Sequence, residues 1–212
     1  RSSAASDVYK RQSLGGVDRE IKVPCITVGN INDHPGLLTV DNLGKSIAPD
    51  LVISFGTGLL NEEVFSIPKC GTINVHRGLA SRYRGLDSDL WAIHNKKLED
   101  IGVTIHRVDE KLDTGSILDE RRLVESFDIS TMSVEELRYW TTLLATDMIL
   151  SILEKFEQGF DIKGKKQQDF AQYYSAMPLS LKWECKELFD KWKWASSIQN
   201  IFNPPQWNAQ SQ

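Results

Sequence analysis

The sequence predicts an α/β protein in which a mostly parallel sheet is flanked by helices. Residues 50–55 form an apolar run between Pro49 and Gly56, which is typical of a strand buried on both faces of a parallel sheet. A second strand, 71–76, follows a short helix that Asn61 can cap. A strand, a helix and a second strand in this order form a βαβ unit, which favours parallel pairing with a right-handed crossover.

Composition argues for an acidic protein of the cytoplasm. The chain has 212 residues, 41% of them hydrophobic, which is enough for one domain with a sizeable core. Its net charge of −4 argues against a nucleic-acid partner. Three widely spaced cysteines, Cys25, Cys70 and Cys185, lack metal-ligand spacing and are interpreted as reduced thiols. No apolar run approaches the roughly 20 residues that a membrane span needs, so we expect no membrane association.

The first residues do not look like part of the fold. Residues 1–12, RSSAASDVYKRQ, have no apolar period and no initiator methionine, and we interpret them as a non-native leader. The main domain is predicted to cover 13–164, beginning with a short strand at 20–28 that Pro24 interrupts.

Further elements follow the strand at 71–76. A loop with three arginines and two glycines covers 77–85, and a helix that Asp87 or Ser88 can cap extends to Asn95. The pattern predicts strands at 101–108 and 116–123, separated by an acidic loop at 109–115.

The long helix is the clearest element of the chain. Ser133 and Glu136 form a capping box, and apolar residues then recur at helical spacing until Gly159 supplies a stop. Residues 165–212 are predicted to form a helical, Trp-rich appendage with a frayed tail. This appendage docks on the domain or on a partner chain, so a homodimer through it is possible.

Three polar residues are candidates for catalysis: Asn74, His76 and Asp113. Residues two apart on a strand share a face, so the Asn74 amide and the His76 imidazole should project side by side. Asp113 lies in a loop that ends another strand, and sites of open α/β sheets form at strand ends. Each residue alone also has an ordinary structural explanation, such as a turn or a satisfied core histidine.

Four short segments occur in order over about 50–123. They are Asn74-Val75-His76, Tyr83-Arg84-Gly85, Gly102-Val103-Thr104-Ile105-His106 and Leu112-Asp113-Thr114-Gly115. In combination they resemble the formyltransferase family that uses 10-formyltetrahydrofolate. The resemblance implies a Rossmann-like fold, this folate as co-substrate, and an Asn-His-Asp catalytic set, whose members here are Asn74, His76 and Asp113.

The chemistry agrees with that implication. An amine that attacks a formyl carbon produces a tetrahedral intermediate with a negative oxygen, and one preorganised donor to such an oxygen is worth about 3 kcal/mol of barrier. Asn74 and a protonated His76 are expected to donate to it. Asp113 is expected to favour the charged imidazole and to help move the proton from the amine to the departing nitrogen. No metal is expected.

The resemblance also implies a slot for the folate. It lies between the turn after the central strand and the loop that carries the aspartate. By position, the residues that form it are Phe55, Gly58, Leu59, Leu60, Val108, Asp109 and Leu112. Leu59 and Leu60 are equally compatible with a core role, and Arg84 is a candidate for holding an anionic acceptor.

The acceptor is chosen by elimination among members of the family. Enzymes that act on methionyl-tRNA carry a further β-barrel domain, whereas the residues after Gly164 look helical here. Enzymes that act on glycinamide ribonucleotide have a Leu-Leu-Pro loop where this chain has Gly78-Leu79-Ala80-Ser81. The hydrolase has Asp-Glu-Gly in place of Asp113-Thr114-Gly115. This leaves a primary amine on a small molecule, with a nucleotide-linked amino sugar favoured. The alternatives are the tRNA, ribonucleotide and hydrolase activities, or a folate-binding module without turnover.

The histidine of whole family members lies deeper in the chain. We therefore expect about 40 residues of the first βαβ unit to be absent, compared with about 30 for a typical crossover unit. That unit supplies a loop that contacts the acceptor.

Overall fold

The computed structural model describes residues 27–40, 45–47, 49–160, 163–168 and 171–202, the last eight of them as backbone only. The predicted leader at 1–12, most of the predicted strand at 20–28 and the tail at 203–212 lie outside the described residues. Among the described helices, none is long and apolar enough to cross a membrane.

A four-stranded sheet forms the centre of the described structure. Its strands are β1 (Val52–Phe55), β2 (Thr72–His76), β4 (Gly102–Arg107) and β5 (Ile117–Arg122), in the order β1-β2-β4-β5. β1 and β2 are parallel and are joined through helix α1 (Glu62–Phe65), as the βαβ pattern predicts. Two short strands, β3 (Tyr83–Gly85) and β6 (Gln172–Tyr174), pair in parallel outside this sheet.

The described sheet is mixed, since β4 is antiparallel to both β2 and β5. The connection between β2 and β4 explains this direction. After β2 the chain passes through β3 and helix α2 (Ser88–His94) and enters β4 at the end where β2 finishes, with Thr104 opposite His76. A parallel strand would have required a crossover back to the start of β2.

The two faces of the sheet differ in chemistry. Ile73 and Val75 on β2, with Val103 and Ile105 on β4, point to one face and join the hydrophobic core. The residues between them are polar, and cross-strand pairing places Ser54, Asn74 and His106 in one row on the opposite face. A second row on that face contains His76, Thr104 and Glu120. Alternation along β2 and β4 thus builds an apolar face for packing and a polar face for chemistry.

β1 departs from the predicted strand that is buried on both faces. Among the described residues it pairs with β2 alone, and the side chains of Ile53 and Phe55 are 38% and 50% exposed. The apolar run 50–55 therefore predicted the strand correctly, but the prediction that both of its faces are buried is wrong. Burial depends on what covers the strand, which the run itself does not show.

Helix α3 (Val134–Glu157) covers the apolar face of the sheet. The Ser133 hydroxyl accepts from the Glu136 amide at 3.2 Å and the Glu136 carboxylate accepts from the Ser133 amide at 2.7 Å, which confirms the capping box. Beyond the helix end Gly159 has a φ of 78°, the left-handed conformation predicted for the stop. Leu137, Leu144 and Met148 point into the same core as the sheet.

Helix α4 (Leu179–Phe202) is the predicted C-terminal helix, and it packs beside α2. Cys185 and Phe189 on its inner face are fully buried in the core, while Trp183 and Trp194 are exposed. The segment before it also contacts the sheet, because Lys165 pairs with Ile117. The domain boundary at 164 and the homodimer through this helix stay predictions.

Ser133→Ala should lower the free energy of unfolding by about 1 kcal/mol, since it removes the cap of the helix that covers the sheet. Urea unfolding followed by circular dichroism would measure this. Ser126→Ala, on an exposed turn outside any helix, is the matched control and should remain near the wild-type value. Equal losses in the two variants would show that the capping box does not stabilise the fold.

Candidate active site

Asn74 occupies the middle of the polar row and its amide is oriented by its neighbours. The Ser54 hydroxyl donates to Asn74 Oδ1 at 2.8 Å, which assigns the oxygen to the β1 side. Asn74 Nδ2 therefore faces β4, at 3.2 Å from His106 Nε2 and 3.5 Å from Asp113 Oδ1. The two amide hydrogens are turned toward the point where the histidines and the aspartate meet.

Asp113 reaches this point from the loop after β4. Its carboxylate is buried and accepts from the Gly85 amide at 2.8 Å. Its oxygens also lie 3.4 Å from His76 Nδ1 and 3.3 Å from His106 Nε2. Because β2 and β4 are antiparallel, their carboxyl ends lie at opposite ends of the sheet. The loop after β4 therefore folds back over the polar face to bring Asp113 to His76. The expected meeting at a shared strand end is thus replaced by a meeting on the face.

The loop that holds Asp113 is tightly constrained. Asp113 has a φ of 53°, a left-handed conformation that few residues other than glycine adopt. Gln167 Nε2 donates to the carbonyls of Asp113 and Gly115, at 2.9 and 2.7 Å. A Cβ on Gly115 would overlap with the carbonyl of Arg107, so this position admits no side chain without a shift. The backbone therefore requires Gly115, and the contacts of Gln167 hold Asp113 in its left-handed conformation.

Gly85 has a comparable role on the other side of the carboxylate. Its φ is 96°, and an added Cβ would overlap with the carbonyl of Tyr174 in the paired strand β6. The close approach of β6 to β3 fixes the amide that donates to Asp113. The Tyr-Arg-Gly segment thus contributes a backbone donor to the site.

His76 is buried, and both of its ring nitrogens face oxygen atoms. Nε2 lies 2.8 Å from the Tyr83 carbonyl, so it carries a hydrogen and donates there, and Nδ1 faces Asp113. Burial lowers the pKa of His76, and the opposing effects of Asp113 and the Tyr83 carbonyl do not reverse that direction. The direction of this shift opposes the expected protonation of His76, whereas the two oxygen neighbours favour it, so the charge of His76 stays a prediction.

The carboxylate of Asp113 remains ionised. Burial pushes its pKa upward, but the hydrogen bond with His106, the proximity of His76 and the Gly85 amide outweigh this, and the pKa lies below its usual value. The His76 imidazole and an ionised carboxylate are thus in contact. If the imidazole is neutral, this pair has room for one more proton.

These groups form the wall of a cleft of ≈ 420 Å³. Asn74, His76 and Asp113 all line it, so the structure brings the three predicted catalytic residues together. The seven residues of the predicted folate slot line it too: Phe55, Gly58, Leu59, Leu60, Val108, Asp109 and Leu112. Phe55 and Leu59 expose half of their surface there and Leu112 about a third, which provides apolar walls for a flat ring.

Arg84 is not brought to the cleft. Its side chain is buried and its guanidinium donates to Gln167 Oε1 at 3.0 Å and to the Gln168 carbonyl at 3.4 Å. In contrast, His106 lies in the site and sequence reasoning missed its role, although it sits in one of the recognised segments. Its signal was the alternation of β4, which places Thr104 and His106 on the same face.

The fold and the site together define an α/β protein that holds an asparagine, two histidines and an aspartate at the wall of a cleft with apolar sides. The model of the formyl transferase family matches residues 29–136, half of the chain, and the chain belongs to this family. The predicted recognition and fold class are thereby confirmed.

Similar proteins include both tRNA and sugar formyltransferases. The chain is 32% identical over 187 residues to a methionyl-tRNA formyltransferase of Thermotoga neapolitana, covering 87% of this chain and 55% of that one. It is 30% identical over 184 residues to the bifunctional polymyxin resistance protein ArnA of Wigglesworthia glossinidia brevipalpis, covering 86% and 26%. It therefore spans about half or less of these curated relatives.

Some of the similar solved structures carry ligands. The formyltransferase PseJ of Anoxybacillus kamchatkensis, in complex with UDP-4,6-dideoxy-4-formamido-L-AltNAc and tetrahydrofolate, is 26% identical to this chain with a TM-score of 0.50. The match covers 59% of this chain and 64% of that one.

His76→Gln should make the protein less sensitive to mild acid. Because the folded pKa of His76 lies below the unfolded value of 6.5, the unfolded chain takes up a proton there first, so wild-type stability falls as the pH drops below 6.5. The wild type should therefore lose up to about 1.4 kcal/mol per pH unit relative to the variant in this range. Urea unfolding at about pH 7.5 and about pH 5.5 would measure the difference.

The exposed His34 provides the control for this experiment. His34→Gln should follow the wild-type curve, because it replaces an exposed side chain outside the site. A difference between wild type and His76→Gln that does not change with pH would contradict the lowered pKa of the buried His76.

Proposed function

We propose that this protein transfers a formyl group from 10-formyltetrahydrofolate to a primary amine of a small molecule, with a nucleotide-linked amino sugar as the favoured acceptor. The observation that carries the proposal is the convergence of Asn74, His76 and Asp113 on a cleft whose remaining walls are the predicted folate slot. Family membership supports the reaction class. The ligands named for the similar PseJ structure support the choice of folate and of a sugar nucleotide.

The folate slot fits the co-substrate by its chemistry. Its apolar walls suit a flat ring, and Asp109 offers a polar edge in the same cleft. A folate held in this slot would present its formyl group to the polar row of the sheet. The reacting atoms would then lie beside Asn74 and Asp113.

Asn74 is proposed to stabilise the charge that develops on the formyl oxygen. As the amine nitrogen forms a bond to the formyl carbon, the carbonyl π bond breaks and its electron pair moves to this oxygen. The Ser54 hydroxyl already holds the amide with its hydrogens toward the site. The contacts of Asn74 Nδ2 with His106 and Asp113 are long, at 3.2 and 3.5 Å, so a substrate oxygen can replace one of them at little cost.

The pair formed by His76 and Asp113 is proposed to take up the proton that the attacking amine loses. With Nε2 donating to the Tyr83 carbonyl, a neutral His76 has its lone pair on Nδ1, which faces the carboxylate at 3.4 Å. A proton placed between them turns this contact into a charge-assisted hydrogen bond. The same proton then passes, directly or through water, to the departing folate nitrogen as the carbon–nitrogen bond breaks and the oxygen regains its double bond.

Asn74→Ala should lower kcat by about 100- to 1000-fold, the usual loss for one oxyanion donor. Asp113→Asn should cause a loss of similar size, because the pair can no longer accept the proton. Formation of tetrahydrofolate would be measured with 10-formyltetrahydrofolate and a panel of UDP- and dTDP-linked amino sugars, with glycinamide ribonucleotide and initiator methionyl-tRNA as competing acceptors.

Matched substitutions outside the cleft serve as controls. Asn95→Ala removes an exposed asparagine that contacts Tyr174, and Asp119→Asn removes a carboxylate that pairs with Arg121. Both should retain wild-type kcat. A folded wild type that binds folate but transfers formyl to none of the acceptors would instead indicate a folate-binding module, and transfer to methionyl-tRNA alone would overturn the sugar acceptor.

A further inference from the structure

The cleft continues past the catalytic residues to a charged end that the proposed mechanism does not use. Arg77, Asp87, Asp89 and Arg138 line this end, together with Ala176 from the segment that precedes α4. Arg77 follows His76, the last residue of β2, and its Nη2 donates to the Thr142 hydroxyl on helix α3. The proposed catalytic residues and this charged end are thus adjacent in the chain and line the same cleft.

Three of the four charged residues at this end, Arg138, Asp87 and Asp89, form ion pairs, and Lys182 on α4 supplies the second positive charge. Arg138 donates to Asp87 at 2.9 Å and to Asp89 at 3.1 Å, and Lys182 Nζ lies 2.8 Å from the other oxygen of Asp87. Two positive and two negative charges are balanced in this cluster. The cation of Arg138 therefore already has its carboxylate partners.

Arg77 differs from Arg138 because its direct partners are neutral. Its Nη2 donates to the Thr142 hydroxyl at 3.2 Å, and its guanidinium carbon lies 5.8 Å from the centre of the Phe55 ring. Within the described parts of the chain, no carboxylate forms an ion pair with it. Burial lowers the pKa of Arg77, with the nearby charge of Asp89 opposing and that of Arg138 adding to this effect. A partly buried cation at the wall of a cleft is thus left without a direct counter-ion.

We propose that Arg77 binds a phosphate group of the amine acceptor and so selects acceptors that carry a phosphate or a diphosphate. This inference rests on the proposed function and names the feature of the acceptor that the cleft recognises. A guanidinium offers parallel N–H donors that match two phosphate oxygens. Thr142 and the face of Phe55 hold it in place, so little side-chain freedom is lost on binding.

The position of Arg77 suits an acceptor better than a folate. The slot residues lie at the turn after β1 and in the loop before Asp113, whereas Arg77 lies at the end with Asp87, Asp89 and Arg138. An amine held beside Asn74 would extend its remaining groups along the free part of the cleft, past the end of β2. Phe55 borders both regions, so the carboxylates of a folate tail are the alternative anion, and the experiment separates the two.

The direct test measures binding of UDP and of dTDP to the whole chain by calorimetry. Arg77→Gln should weaken binding by about 10- to 100-fold, the loss expected for a charge-assisted pair. The affinity of Arg77→Lys should lie between those of Arg77→Gln and the wild type, because an ammonium group keeps the charge but lacks the two parallel N–H donors of a guanidinium. Arg121→Gln, which removes an arginine paired with Asp119 and Asp147 outside the cleft, is the matched control and should bind like the wild type.

Kinetics then separate the two anions. With a nucleotide-linked amino sugar, Arg77→Gln should raise the KM for the acceptor by the same factor and leave the KM for the folate co-substrate within about twofold. With the same amino sugar lacking the nucleotide, wild type and variant should have equal kcat/KM. A raised KM for the folate alone would overturn the proposal, and so would equal UDP and dTDP affinities in wild type and variant, or the lack of any UDP and dTDP binding by the wild type.

The outcomes also distinguish this inference from the proposed function. Arg77-dependent binding of a nucleoside diphosphate without any formyl transfer would leave Arg77 as a phosphate ligand and overturn the transferase activity. Formyl transfer that does not depend on Arg77 would support the transferase activity and overturn the role of Arg77 as a phosphate ligand. If Arg77→Gln does not fold, as judged by its circular dichroism, Arg77→Met retains the apolar stem over Phe55 and answers the same question.

Discussion

The buried carboxylate of Asp113 is the constraint on which the rest of the site depends. An ionised group away from water is costly unless donors surround it, and here the donors come from separate elements. The Gly85 amide belongs to β3, the Asn74 amide to β2 and His106 to β4. Satisfying this one charge therefore fixes the strands, the Tyr-Arg-Gly segment and the acidic loop relative to one another. The same contacts keep the carboxylate ionised, which is the state that a proton acceptor needs.

The two-faced sheet explains how a small fold supports this arrangement. Alternation on β2 and β4 sends Ile73 and Ile105 into the core and Asn74 and His106 to the site. The apolar face packs against α3, and this packing holds the sheet rigid. The stability of the sheet therefore does not depend on which side chains its polar face presents to the site. The antiparallel direction of β4 then matters for function: it brings the loop with Asp113 back over the polar face.

Much of the site could be predicted from local patterns, and what could not depended on tertiary context. Asn74 and His76 were predictable because two residues on one strand share a face whatever surrounds them. The lowered pKa of His76 was not, since it results from burial, which no local pattern reports. The choice of arginine shows the same limit: Arg77 and Arg84 look alike in the sequence, but β3 directs Arg84 toward Gln167, while Arg77 remains at the wall of the cleft.

The C-terminal helix contributes to the cleft as well as to the core. Lys182 on α4 and the amide of Met177 both contact Asp87, whose backbone has a φ of 52° at the start of α2. Asp87 in turn holds Arg138. Without Lys182 the acidic pair at this end would carry an excess negative charge near Arg77, on whose guanidinium the charges of Asp89 and Asp87 already act. The docking of α4 therefore does more than bury Cys185 and Phe189: by satisfying Asp87 it keeps a positive charge available at the wall of the cleft.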